Sequence, residues 1–393
     1  MKTATVTWIT YNNYGTLLQA YALQQQLLEW GIENEILYDK NILQSHKSKY
    51  VQPIVEDAEK NENVSNNRSL RTRFIGLLSR PRRILNVFLA RVNREKYERP
   101  YIESQELCEV FKRTNLKIFY DVNIDKLNVL NNQYDIFIAG SDQIWSVFER
   151  NFNSFYYLDF VKKKKIAYAP SLGTNIITEQ SKEKIKSLLA DFSFISVREK
   201  ETATQLTQLL DQKVEWVADP TLLQDRQFWS KFTIGSPIRK KKYLLCYFLE
   251  NREWYFDYAK RIAKKLNLDI VLLPNRWEYI SCEYIIKRGV GPKEFVSLIQ
   301  HADYVLTDSY HGSIFSLIFN RNFQYLLRFS HNDPTSQNIR IYSLFDYLGI
   351  DDRIVLSIEG KLPPIEIINY STINKKIEEF RSLSKDCLIK CFK

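Results

Sequence analysis

Short apolar runs that stop at polar residues and pass into helical patterns recur along this chain, most legibly between Asp303 and Phe329. Residues 304–306 form one short apolar run, 314–319 continue as a helix, and 323–327 read as a second strand. Such a βαβ unit puts a strand's C-terminal end and the next helix's N-terminus at one lip of a parallel sheet, where backbone N–H groups attract anions. Thr307, Asp308, Ser309, Tyr310, His311, Gly312 and Ser313 occupy that lip. With only four histidines in the chain, His311 at this turn is a candidate functional side chain; capping the helix or bonding a carbonyl is the plainer alternative.

The same unit opens the chain. Residues 3–10 read as a strand, Asn12-Asn13-Tyr14-Gly15 as a tight loop, 17–30 as an amphipathic helix and 33–38 as a second strand. The opening is Rossmann-like, yet the loop lacks both GxGxxG and a Walker lysine, so neither a dinucleotide nor ATP is indicated. Asn13 and Gly15 either bring backbone close to a small anionic ligand or form a plain turn. Further on, strands expected at 134–139, 165–169, 194–197 and 214–218 end in Ser141-Asp142-Gln143, Ser171-Leu172-Gly173, Arg198-Glu199 and Asp219. Four strand ends delivering polar groups to one edge point to a site, although helix capping accounts for some of them.

Charge, Pro237 and a lost period mark 226–240 as a linker. After it, strands expected at 243–249, 269–273, 304–306 and 323–327 alternate with helices at 254–266, 292–300 and 313–319. The expected organisation is therefore an α/β domain over 1–225, with a basic helical insert at about 45–125, and a second over 241–393. Both are Rossmann-like, with a cleft between them. A helix near 372–387 is expected to cross back to the first domain.

Composition narrows the class. No window approaches the ~18 uninterrupted apolar residues of a membrane span, and the N-terminus alternates like a strand, so a cytoplasmic protein is expected. The five cysteines lack metal-type spacing, which argues against disulfides and zinc. Eight arginines and no acid lie between Asn63 and Arg94, so 10 minus 8 leaves a net charge of +2 elsewhere. That clustering argues against a nucleic-acid partner. Ile84, Leu85, Phe88, Leu89 and Val92 share a helical face there, suiting either an anionic membrane surface or the domain's own core.

The ordered motifs NNYGTLLQAYALQ (12–24), YDIFIAGSDQIW (134–145), IAYAPSLG (166–173), ISVREK (195–200), ADPTLL (218–223) and ADYVLTDSYHGSIFSLIF (302–319) resemble the polysaccharide pyruvyl transferase family. The resemblance spans most of the chain and implies a GT-B-like architecture. It also implies transfer of pyruvyl from phosphoenolpyruvate to sugar hydroxyls of a cell-surface, lipid-linked repeat unit at the inner face of the membrane. Phosphoenolpyruvate would be a co-substrate, with no other cofactor and no metal. The family's histidine falls on His311, the arginine of its SVR motif on Arg198, and a donor-holding basic residue on Arg328. Many members carry arginine two positions before the histidine, where this chain has Ser309.

Phosphoenolpyruvate carries a carboxylate and a phosphate, which arginine's planar fork binds bidentately. Arg198, Arg328 and the lip from Ser309 to Ser313 are the expected donor site, and His311, Arg198 and Asp142 the expected catalytic set, with Asp308 a second candidate base. Asn12, Asn13, Tyr14, Gly15, Ser141, Gln143, Ser171 and Gly173 are expected to line the cleft or hold the acceptor. The alternatives are a sugar-nucleotide glycosyltransferase and a non-catalytic saccharide-binding protein of a biosynthetic complex.

Overall fold

Two parallel sheets organise the protein, as strands buried on both faces require. The computed structural model describes residues 1–43, 94–146, 152–174, 177–235, 242–273, 285–329, 333, 336–357 and 365–393. The first sheet comprises β1 (Lys2–Val6), β2 (Glu33–Leu37), β3 (Ile118–Phe119), β4 (Ile136–Ala139), β5 (Lys164–Ala167), β6 (Phe192–Val197) and β7 (Glu215–Trp216), in the order β3-β2-β1-β4-β5-β6-β7. The second comprises β8 (Tyr243–Tyr247), β9 (Asp269–Leu273), β10 (Ile285–Ile286), β11 (Tyr304–Thr307), β12 (Asn322–Leu326) and β13 (Ile354–Val355), in the order β10-β9-β8-β11-β12-β13. Strand order reverses between β1 and β4 and again between β8 and β11. Those switch points open crevices at the strands' C-terminal ends.

These are the two Rossmann-like units expected, GT-B-like in architecture. The helix at Tyr14–Glu29 joins them. Asn13 caps it, accepting from Gly15 N at 2.9 Å and Thr16 N at 3.4 Å. Expected to be amphipathic, it instead buries 12 of its 16 residues, because elements of both units pack around it. Its buried amides are largely engaged: Gln19 Nε2 donates to Thr7 Oγ1 at 3.1 Å, although Gln19 Oε1 has no partner among the described residues, and Gln24 bonds the Lys117 backbone in both directions. Tyr14 stacks on Phe295 at 4.8 Å and donates to Val290 O at 3.1 Å. One apolar cluster thus runs from Leu17 and Leu222 to Phe295 and Phe315.

The interval expected as linker contains a helix, Arg226–Phe232, capped by Asp225 and burying Trp229. The C-terminal helix, Tyr370–Lys390, does return to the first unit: Arg381 Nε donates to Leu222 O at 2.7 Å, and Ser384 Oγ accepts from Ala218 N at 2.8 Å. Most of the basic insert, including its helical face and Arg80, Arg82 and Arg83, lies outside the described residues. Its C-terminal part is the helix Arg94–Asn115, which buries Cys108 and Phe111. Among the described residues no helix is long and apolar enough to cross a membrane.

Candidate functional site

The turn after β11 is built to hold the next helix hard against its strand. Thr307 Oγ1 donates to Tyr247 O at 2.7 Å and accepts from Ser309 N at 3.0 Å. Ser309 caps the helix Tyr310–Ile318, accepting from Gly312 N at 3.3 Å, and Ser313 Oγ donates back to Ser309 O. A Cβ on Gly312 would fall 2.5 Å from Thr307 Oγ1, so only glycine fits. The Asp308 carboxylate accepts from Leu249 N at 2.6 Å and Glu250 N at 2.8 Å, tying the β8 loop to the β11 loop. Of the expected lip residues, Asp308, Ser309, Gly312 and Ser313 therefore form the turn. Tyr310 and His311 carry side chains to the junction with the first unit.

On the first unit's side, Arg198 follows β6 with a fully buried side chain ringed by three carboxylates. Its Nη1 is 3.0 Å from Asp219 Oδ2, its Nη2 3.5 Å from Asp142 Oδ1 and its Nε 3.4 Å from Glu199 Oε1. Burial works against the Arg198 charge, but these acids hold its pKa above the ordinary arginine value. Asp142 sits in left-handed backbone at φ 70° and accepts from Thr16 Oγ1 at 2.7 Å and Gln143 N at 2.9 Å. Asp219 caps Pro220–Leu223 and accepts from Thr221 N and Thr221 Oγ1. Burial alone would raise the Asp219 carboxyl, yet His311, Arg198 and Thr221 hold it well below the usual carboxylate range. Glu199 goes the other way, burial outweighing Arg198.

The two sides meet at His311. Its Nε2 lies 3.5 Å from Asp219 Oδ2, too far for a well-formed hydrogen bond, and is otherwise without a protein partner. The opposite edge of the ring rests on Gly15, where a Cβ would overlap the imidazole's Nδ1 and Cγ. Beside it, the Tyr310 ring has the Arg198 guanidinium 5.0 Å and the Arg340 guanidinium 5.9 Å from its centroid. Arg328 Nη2 pairs with Glu250 Oε1 at 3.1 Å.

The remaining expected residues divide into two groups. Ser141 Oγ donates to Ala169 O, Ser171 Oγ accepts from Gly173 N, and Gln143 packs on Gly173 at φ 72°, so these hold the loops beneath Asp142. Asn12, Asn13 and Tyr14 line a recess with Tyr101, Ser104 and Gln105 of the Arg94–Asn115 helix and with Tyr247. Its free space of about 10 Å³ suits one water, not a sugar ring. Asn12 Oδ1 is buried there without a hydrogen-bond partner, its amide donating to Glu109.

Sequence reasoning placed Asp219 at the sheet edge but missed it as the partner of His311. It missed Arg340 entirely. The one signal was a lone arginine among apolar residues in Ile339-Arg340-Ile341.

A model of the polysaccharide pyruvyl transferase family matches residues 13–331. No curated protein matches the chain. Among solved structures it is similar to S. aureus MnaA with UDP, at TM-score 0.47 and 10% identity over 98% of this chain and 90% of that one. It is also similar to the glycosyltransferase SnogD from Streptomyces nogalater, at TM-score 0.47 and 7% identity over 100% and 99%. A third similar structure is UDP-GlcNAc 2-epimerase from Neisseria meningitidis bound to UDP-GlcNAc, at TM-score 0.44 and 10% identity over 98% and 94%.

Proposed function

The chain belongs to the polysaccharide pyruvyl transferase family, and we propose that it moves pyruvyl from phosphoenolpyruvate to sugar hydroxyls of a polysaccharide repeat unit, forming a ketal. The observation that carries this reading is His311 facing an ionised Asp219 across the junction, with Arg198 and Arg340 on the adjoining Tyr310 ring and Arg328 near Arg340.

The reaction needs proton transfers and anion binding. A proton is added to the methylene carbon of the enol, and a sugar hydroxyl attacks the neighbouring carbon and loses its proton. Phosphate then leaves with the C–O electron pair, and a second hydroxyl closes the ketal. An imidazole in this position exchanges the protons, and the fixed Asp219 carboxylate orients it. Asp142, already engaged by Thr16, Gln143 and Arg198, suits holding Arg198 better than acting as the base. Asp308, bonded to two backbone N–H groups, suits loop anchoring. The recess at Asn12 and Tyr101, with room for about one water, would have to widen before its aromatic rings and amides could meet a sugar.

The test is phosphate release from phosphoenolpyruvate by purified protein across a saccharide panel. Release that requires an acceptor is the expected result, with phosphoenolpyruvate raising the melting temperature and UDP-sugars leaving it unchanged. Stabilisation by a UDP-sugar alone would overturn the donor assignment in favour of glycosyl transfer. The arginines between Asn63 and Arg94 suit reversible attachment to an anionic membrane that presents a lipid-linked acceptor. Salt-sensitive sedimentation with anionic but not neutral vesicles, lost when Arg80, Arg82 and Arg83 become glutamate, is the expected behaviour.

A further inference from the structure

Three arginines and His311 surround the junction, and three of these four side chains already face an acid. Arg198 is ringed by Asp142, Asp219 and Glu199; Arg328 pairs with Glu250; His311 faces Asp219. Arg340 is different. Among the described residues its hydrogen bonds go only to Gln337, from Nε to the backbone oxygen at 3.3 Å and from Nη2 to Oε1 at 2.9 Å. Among the described residues it has no carboxylate within ion-pair distance.

Little in its setting favours the charge: Tyr325 and Glu199 do so only through space, neither within ion-pair distance. Arg340 is the second residue of the helix Ile339–Leu348, so it stands at the positive end of the helix dipole, where a cation is disfavoured. Burial, then Arg198 and Arg328, press its pKa down to about 10. The gain it does collect is the Tyr310 face, shared with Arg198. A cation held beside two other arginines with no ion-pair partner among the described residues is what a site awaiting an anion looks like.

The lip itself supplies no such group. Ser309 is short and spent on capping Gly312 N. We propose that Arg340, reaching in from the next helix, is the residue that grips the phosphate of the donor, with Arg328 beside it. The inference rests on the donor reading above only in naming phosphoenolpyruvate; its chemistry asks for any small phosphate-bearing ligand at this junction.

The experiment measures binding of phosphoenolpyruvate, UDP and inorganic phosphate to the full-length protein by calorimetry. Wild type is compared with Arg340→Gln and Arg340→Lys, and the unliganded melting temperature of each is recorded. Arg340→Gln is expected to weaken phosphoenolpyruvate about tenfold to a hundredfold, the usual worth of a charge-assisted contact. Arg340→Lys should fall between, keeping charge but losing the planar fork. Unliganded Arg340→Gln should melt no lower than wild type, because the charge it removes has no partner. Lower melting with unchanged affinity would make Arg340 a structural residue and overturn the proposal. If wild type binds UDP but not phosphoenolpyruvate, the donor reading fails, and the proposal then survives only if Arg340→Gln weakens UDP by a similar factor. Binding of none of the three ligands would overturn it as well.

Discussion

His311 Nε2 lies 3.5 Å from Asp219 Oδ2, and the two side chains come from different sheets. Asp219 is fixed from its own side by Arg198 Nη1 and Thr221, so the imidazole is the member of the pair free to exchange protons. Asp219→Asn keeps the volume and removes the charge, and turnover should fall by ~100-fold or more, as should that of His311→Ala. Groups acting as a unit are not additive, so the double variant should be no slower than the slower single one. Single and double kcat values settle the point. Multiplied losses would mean that the two side chains act separately.

Gly15 gives a sharper test of the imidazole's position. Alanine in a helix is ordinarily favoured over glycine by ~0.5–1 kcal/mol, but here its Cβ would overlap the His311 ring. Turning the ring does not clear the His311 Cβ, 2.8 Å from the added Cβ, so the two helices must also shift apart. Gly15→Ala should therefore lose some stability, on the order of 1–3 kcal/mol, while kcat drops more than ~10-fold. Unchanged turnover would show that the close approach of Gly15 has no catalytic consequence.

Much of this arrangement was legible in sequence, for a physical reason. Central strands buried on both faces, such as Ile136–Ala139 and Tyr304–Thr307, announce themselves as apolar runs, and their ends bracket Asp142 and His311. Of the four two-residue edge strands only β7 was legible, within 214–218; β3, β10 and β13 carry no such signal, because pairing with a neighbour, not composition, defines them. Helix Tyr14–Glu29 misled by its glutamines: Gln19, Gln24 and Gln26 imply a wet face, yet all are buried at the junction of the two units. Arg340 was illegible because its lack of an ion-pair partner among the described residues is a property of three-dimensional neighbours. Ser309 was read as a ligand-facing position although its residue type is equally that of a helix cap, the role seen here.

The C-terminal helix positions the site indirectly. Ser384 Oγ accepts from Ala218 N, the residue before Asp219, and donates to Phe380 O. Ser384→Ala leaves the Ala218 N–H buried without an acceptor, a loss of about 1–3 kcal/mol. The exposed neighbour Ser382→Ala should stay within about 0.5 kcal/mol of wild type. Urea midpoints of the two variants provide the check. Equal midpoints would mean that the packing of this helix, and not the hydrogen bond, fixes the 218–221 turn.

Asp308 should leave a signature in the pH dependence of stability. Burial raises its carboxyl to about 6 from 3.8, even though Arg328 and the N–H groups of Leu249 and Glu250 favour the ionised form. A folded pKa above the unfolded one means that the native state binds the extra proton in that window, so stability falls as pH rises from about 4 to about 6. Roughly 2 pH units at about 1.36 kcal/mol each put the change on the order of 3 kcal/mol. Carboxylates such as Asp219, whose pKa is depressed, slope the opposite way at lower pH, so the clean readout is the difference between wild type and Asp308→Asn. That difference should decline across pH 4–6 and be flat from about 7 upward. Parallel curves over the whole range would show that Asp308 titrates as an ordinary carboxylate and that its two backbone hydrogen bonds offset its burial in full.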